Sequence, residues 1–259
     1  MVRLVIRWTF GENRARPLSP QALDMLEMSI KFAKLLFPKA RFIVCYNNLK
    51  QTTLNALMKI VSETGVEAKD VTNLLPSYLA RTDVKNSWWK YAIPRLDEKA
   101  YEILMDNDVV LWRIPPTLER AIKEQALVAL TDAAGQYYGD FHDLVMNLNP
   151  KLKLNAGLLG MPPSFKVDFG LIQRVKLRDF FHSEQGFTAL NFLLYNGKKY
   201  LIPLEEVVQL NIIKVPPEEL IARYCGGHFA GCSYAHFDFW EKKYSQAVKN
   251  YYRRLTTNE

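Results

Sequence analysis

Apolar and polar positions alternate from the start of the chain. In VRLVIRWTF, Val2, Leu4, Ile6, Trp8 and Phe10 fall on one side and Arg3, Val5, Arg7 and Thr9 on the other, which predicts a strand with one mixed face. The period then becomes helical. SPQALDMLEMSIKFAKLLFP puts Leu23, Leu26, Ile30, Ala33 and Phe37 on one stripe, with Ser19 as cap, Pro20 at the first helical position and Pro38 as the stop. RFIVCY (41–46) reads as a buried strand, residues 52–64 as a helix ended by Gly65, and 66–71 as a short strand. Strand–helix–strand–helix–strand implies parallel strands with crossover helices. Further on, EILMDNDVVLW (102–112) predicts one strong strand, Pro115 and Pro116 open a helix to about Gln125, and ALVALTD is another strand. LNAGLLGMPP and KKYLIPLEEVVQLN add strand-like segments. SEQGFTALNFLLYN reads as a helix capped by Ser183, and the last helix runs from about Asp238 to Leu255. The chain after about residue 150 is less regular.

One stretch breaks the pattern. Asp106, Asn107 and Asp108 interrupt the apolar run of EILMDNDVVLW. Two carboxylates in a core strand repel each other and cost several kcal/mol each to desolvate unless paired. Being two residues apart on an extended segment, they point to the same side. At the carboxyl end of a parallel strand they would lie where open α/β sheets bind ligands, and a divalent cation carrying a phosphate would neutralise both. A turn at the strand end is the structural alternative, and the triplet alone does not choose.

Composition narrows the field. The chain has 259 residues, 49% hydrophobic and 24% charged, an ordinary globular composition for which no disulfide staple is needed. Net charge +7, from 34 basic and 27 acidic residues, favours anionic partners. Three cysteines, Cys45, Cys225 and Cys232, argue against a disulfide framework. The first residues show no signal-peptide pattern, and no apolar run nears a membrane span, so a cytoplasmic protein is expected.

Other segments offer chemistry. NSWWKYAIPRL brings Lys90 and Arg95 near the acidic stretch, and both side chains bind phosphate oxygens; Trp88 and Trp89 are read as packing. NAGLLG offers Asn155, and Gly157 and Gly160 for close backbone approach. HSEQGF puts Glu184 and Gln185 in a first helical turn, which helix capping alone would explain. In YCGGHFAGCSYAHFDFW, His228 is a candidate third ligand; the spacing of Cys225, His228, Cys232 and His236 is not that of common structural zinc motifs, and the cysteines read as buried thiols. The final helix carries Lys242, Lys243, Lys249, Arg253 and Arg254 among Trp240, Tyr244, Tyr251 and Tyr252. It reads as a solvated helix docked by its aromatics, with peripheral contact to anionic lipid as the alternative.

DND, NAG, SEQG and GGHFAG stand in an order that resembles glycosyltransferases of the GT-A fold, in particular the retaining group containing glycogenin and the bacterial lipopolysaccharide galactosyltransferases. The resemblance runs from the first strand to about Trp240. It implies an α/β, GT-A-like single domain: a mixed, mostly parallel sheet flanked by helices, with a nucleotide-binding half (1–112), an acceptor half (113–237) and a C-terminal basic and aromatic helix (238–259). By the same resemblance, Asp106, Asp108 and His228 would hold Mn²⁺ or Mg²⁺ on the diphosphate of a nucleotide-sugar donor. Asn155 and Gly157 would line the sugar or acceptor pocket. Glu184 would meet donor hydroxyls, and Gln185 would lie near the anomeric carbon. Thr9, Lys90, Arg95 and Asn107 are placed at the donor. Two departures stand out: Gly186 where the family often has a second acid, and GCSYAHFDFW in place of the usual Lys-Pro-Trp after the late histidine loop. The acceptor, whether glycan, lipid or protein, is left open. Alternatives are a sugar-phosphate nucleotidyltransferase, with GENRARP (11–17) as a faint phosphate loop, and a non-enzymatic nucleic-acid-binding protein, against which no recognition motif appears.

Overall fold

The computed structural model describes residues 2–12, 18–74, 86–134, 137–233 and 237–257, with side chains at 86, 87, 180 and 181 left aside. Most of the GENRARP segment falls outside these residues, as does His236.

Two sheets organise the chain. The larger has seven strands: β1 (Leu4–Gly11), β2 (Arg41–Asn47), β3 (Glu67–Asp70), β4 (Tyr101–Asp106), β6 (Leu127–Thr131), β7 (Leu154–Met161) and β8 (Lys199–Ile202), in the order β3-β2-β1-β4-β7-β6-β8. Only β7 runs against its neighbours; every other pairing is parallel. The smaller sheet joins β5 (Val109–Leu111), β10 (Gly226–His228) and β9 (Val207–Gln209), with β10 central. This is the mixed, mostly parallel α/β architecture expected from the sequence.

The main correction concerns EILMDNDVVLW. It is two strands in two sheets, β4 ending at Asp106 and β5 beginning at Val109, with Asn107 and Asp108 in the turn between them. Both acids thus sit at a strand terminus. Buried charge does remain inside β4: Glu102 is fully buried, its Oε1 2.7 Å from Nε of Arg7 on β1. Arg7 also donates to the carbonyls of Ile93 and Pro94.

Among the described residues the α-helices are α1 (Pro20–Leu36), α2 (Gln51–Thr64), α3 (Pro116–Glu124), α4 (His142–Leu148), α5 (Phe180–Leu194), α6 (Pro217–Arg223) and α7 (Ser245–Thr257). Helix α1 buries two faces rather than one stripe. Ala22, Leu26, Ile30 and Ala33 pack on the large sheet's core, whereas Met25, Met28 and Phe32 join the core behind the small sheet with Trp112, Phe229, Trp240 and Tyr244. Ser19 precedes α1 as expected but makes no side-chain cap; its hydroxyl donates to the Cys232 carbonyl at 2.6 Å. The C-terminal helix docks through buried Trp240, Tyr244 and Val248, after a π turn over Trp240–Tyr244. No helix among the described residues is long and apolar enough to cross a membrane.

Candidate metal and donor site

Because β7 is antiparallel, the carboxyl ends of β1, β4 and β6 and the start of β7 meet at one sheet edge, which is where α/β sheets place ligands. Thr9 pairs with Asp106 in register, Leu130 pairs with Asn155, and the β6–β7 ladder shifts register at Ala129/Leu130. A cavity of about 220 Å³ opens on this edge. Of the residues singled out from the sequence, Thr9, Lys90, Asp106, Asn107, Asp108, Asn155, Gly157, Glu184, Gln185 and His228 all line it.

Arg95 does not. Its guanidinium donates to the carbonyls of Met161, Pro162, Asp97 and Ala100, with Nε 3.8 Å from Glu102. Placement at the donor is therefore corrected to a structural role: Arg95, with Arg7 and Glu102, fastens the segment that follows Lys90.

Asp106, Asp108 and His228 each offer a ligand atom, all within 4.8 Å of one another. Asp108 Oδ1 is buried with no hydrogen-bond donor among the described residues, and His228 Nε2 stands 3.5 Å away, too far for a hydrogen bond and well spaced for two atoms sharing one cation. Two carboxylates and an imidazole suit Mn²⁺ or Mg²⁺, so the residues present fit a divalent ion. The three ligand atoms come from both sheets, since Asp106 ends β4 while Asp108 accepts the Phe229 N–H beside β10 through its own carbonyl. Gly157 makes room for the imidazole: a Cβ there would lie 2.8 Å from His228 Cε1. Asn107 latches the turn, donating to Ser233 Oγ at 2.9 Å and the Ala22 carbonyl at 3.4 Å.

The positive charge inside this cluster is Lys90. It is buried, its Nζ 3.0 Å from Asp106 Oδ1, 3.1 Å from Glu184 Oε1 and 3.1 Å from the Ala156 carbonyl. Burial works against its charge, but Asp106 and Glu184 outweigh it and raise its pKa. Burial, with Asp106 nearby, pushes the Glu184 carboxyl up to about 7 despite Lys90. Burial and Asp108 raise Asp106, whereas Asp108 itself is held low by His228 and Ser233 in spite of burial. Burial opposes charge on His228, yet the adjacent Asp108 carboxylate, with Asp106 beyond, raises its pKa.

Gln185 faces this cluster from α5. That helix begins at Phe180, three residues before the expected cap, and the Asp179 carboxylate receives the His182 N–H at 3.2 Å. Ser183 lies inside the helix, where its hydroxyl donates to Asp140 at 2.9 Å and accepts the Asp140 N–H. Gly186 has a packing reason, since a side chain there would run into the Tyr138 carbonyl.

Sequence reasoning missed Asp132, at the end of β6. Its Oδ2 accepts Nε2 of Gln185 at 3.0 Å and Nδ2 of Asn155 at 3.4 Å, while Oδ1 accepts the Ala134 N–H at 2.7 Å. A carboxylate only accepts, so the Gln185 amide must turn its NH₂ to Asp132 and leave its carbonyl oxygen to the cavity. Asn155 is fixed likewise, with its Oδ1 taking the Gly157 N–H at 2.8 Å. The available signal was an acid closing a second strand parallel to β4, at the same edge as Asp106.

By sequence, no known family profile and no curated protein matches the chain. By structure, it is similar to the galactosyltransferase LgtC solved with donor and acceptor sugar analogs, at TM-score 0.59 and 13% identity over 97% of this chain and 96% of that one. It is also similar to mouse xyloside xylosyltransferase 1, at TM-score 0.52 and 11% identity over 90% and 98% of the two chains. Against the glycosyltransferase GlyE of Streptococcus pneumoniae the TM-score is 0.53 at 14% identity, covering 98% of this chain but 64% of that one. At such identities the likeness speaks for architecture, and the chain has the GT-A fold of these glycosyltransferases.

Proposed function

We propose that the protein is a metal-dependent glycosyltransferase that moves a sugar from a nucleotide-diphosphate donor to an acceptor hydroxyl, with retention at the anomeric carbon as the sequence resemblance implies. One observation carries the reading: in a GT-A fold, Asp106, Asp108 and His228 converge at the carboxyl edge of the sheet and share a cavity with Gln185 and Glu184.

A divalent ion bound there supplies positive charge to the departing diphosphate. The chain's own groups do the rest. Asp106, Asp108 and His228 would hold the ion. Lys90 keeps Asp106 and Glu184 in place by bonding both, and Glu184 is set to accept a donor hydroxyl. The bond from the anomeric carbon to the diphosphate oxygen breaks, and a bond to the acceptor oxygen forms. The electron pair leaves with the diphosphate, whose oxygen takes the acceptor proton. As positive charge grows on the anomeric carbon, the Gln185 carbonyl oxygen presents a fixed dipole of the right sign, needing no reorganisation. The cavity aligns the partners.

The test is donor hydrolysis and transfer across UDP-, GDP-, ADP- and dTDP-sugars with Mn²⁺. Activity that ignores EDTA, or survives Asp106→Ala with Asp108→Ala, would sink the reading. Pyrophosphate release from a nucleoside triphosphate and sugar phosphate would point to the nucleotidyltransferase instead. NMR of the product's anomeric proton decides retention.

A further inference from the structure

We propose that the mouth of the cavity is an acceptor subsite shaped for a saccharide, with Tyr137 as the stacking platform and Phe237 as a second wall; this rests on the glycosyltransferase reading above. Two aromatic side chains among the described residues are largely exposed, Tyr137 at 50% and Phe237 at 49%. Tyr137 lines the cavity, and the Phe237 ring lies against Gly231, which lines it. Gly231 has φ +91°, and a Cβ there would stand 3.0 Å from Phe237 Cδ2. The backbone at Gly231 therefore lets the ring sit close against this lining residue.

Tyr137 is exposed but held. The His182 ring meets it edge-on at 4.9 Å between centroids, and the His142 ring lies 5.7 Å away. The Asp179 carboxylate stands 2.7 Å from Nδ1 of His182 and steadies that ring. His182 lines the cavity and precedes Gln185 by three residues on α5, so the two are neighbours on one helical face. The braced ring is thus joined directly to the element that carries Gln185.

A rigid ring that is braced, half open to solvent and rimmed by polar groups matches a pyranose, which has an apolar C–H face and a periphery of hydroxyls. A peptide adding as a strand would need a sheet edge. The strand residues lining the cavity come from β1, β4, β7 and β10, each of which is flanked on both sides by other strands. A lipid chain would need an aliphatic trough, but apart from Tyr137 the uncharged, apolar part of the lining is Ala156, Gly157, Ala230 and Gly231.

The experiment uses the full chain with Mn²⁺. Saturation-transfer NMR with methyl glycosides and disaccharides reads saccharide contact directly. Transfer assays compare those glycosides with hydroxyl-bearing peptides and a lipid phosphate, using whichever donor is hydrolysed. Saccharide contact and transfer are expected. Tyr137→Leu should raise the glycoside KM about tenfold, the worth of one aromatic contact, with the donor KM moving less than about twofold; Tyr137→Trp should keep the glycoside KM near its starting value. Transfer to peptide or lipid phosphate alone, no saccharide contact, or a glycoside KM indifferent to Tyr137→Leu would overturn the subsite. Loss of donor hydrolysis across the whole panel would count against the glycosyltransferase reading instead, and the NMR comparison of wild type with Tyr137→Leu would still decide whether the platform binds saccharide.

Discussion

Replacing Asp132 by Asn changes one atom and reverses the polarity of a buried contact. Asp132 presents one acceptor oxygen to the amides of Gln185 and Asn155 and the other to the Ala134 N–H. If the introduced amide keeps its oxygen on Ala134, its NH₂ faces two further NH₂ groups. The Gln185 amide must then flip, giving its oxygen to the new NH₂ and its own NH₂ to the cavity. A hydrogen bond to a charged group contributes about 1.5–3 kcal/mol, so the loss in Tm should be modest, since the flipped amide recovers one bond. The loss in rate should be larger, because the flipped NH₂ opposes charge on the anomeric carbon. Removing one well-placed dipole costs about 3 kcal/mol in a transition state, or roughly a hundredfold in kcat. Donor KM should change little. The assay is steady-state transfer, or donor hydrolysis where no acceptor is known. Asp132→Asn with Gln185→Glu restores a donor facing an acceptor and should regain Tm. A kcat within about threefold of wild type for Asp132→Asn would refute the reasoning.

Four further outcomes follow from the structure. Mn²⁺ affinity, measured by calorimetry, should weaken as pH falls through the raised pKa of His228, because a protonated imidazole cannot ligate; affinity flat between about pH 5 and 8 would remove His228 from the ligand set. Glu184 has its folded pKa above the unfolded value, so its contribution is present at low pH and lost as pH rises toward about 7; the metal-free protein should lose Tm across that interval, and Glu184→Gln should flatten the loss. Gly157→Ala should push the His228 ring from its place and lower Mn²⁺ affinity with only a small change in Tm, whereas Glu102→Gln, which strands Arg7, should cost about 3–5 kcal/mol in chemical denaturation.

Periodicity locates most strands and helices, because burial on one face leaves a mark in the order of residues. It fails where tertiary demands set the pattern. The run 102–112 is apolar throughout because both of its halves are buried, so periodicity does not reveal that β4 and β5 belong to different sheets. Nearness along the chain points Arg95 at the donor, but four backbone carbonyls claim its donors. Ser183 fits a cap, yet Asp179 lies one turn earlier and the helix starts there. The residues read as metal ligands are brought together, as are Lys90, Glu184 and Gln185 around them. What the motifs do not carry is orientation. Asp132 fixes which atom of Gln185 meets the cavity, and that information is in the fold.

The turn at Asn107 and Asp108 is also a seam. On one side of it Asp106 ends a strand of the large sheet; on the other the chain enters the small sheet, which carries His228 and is backed by the aromatic core that includes Trp240 and Tyr244. A bound cation would rivet the two sheets across that seam. Ion affinity then becomes a gauge of how the sheets are set against each other. A substitution at the C-terminal helix, far along the chain from any ligand, can alter ion affinity by changing the seating of the small sheet. In the other direction, loading the ion should slow hydrogen exchange along β5 and β10 before it is felt in the outer strands of the large sheet.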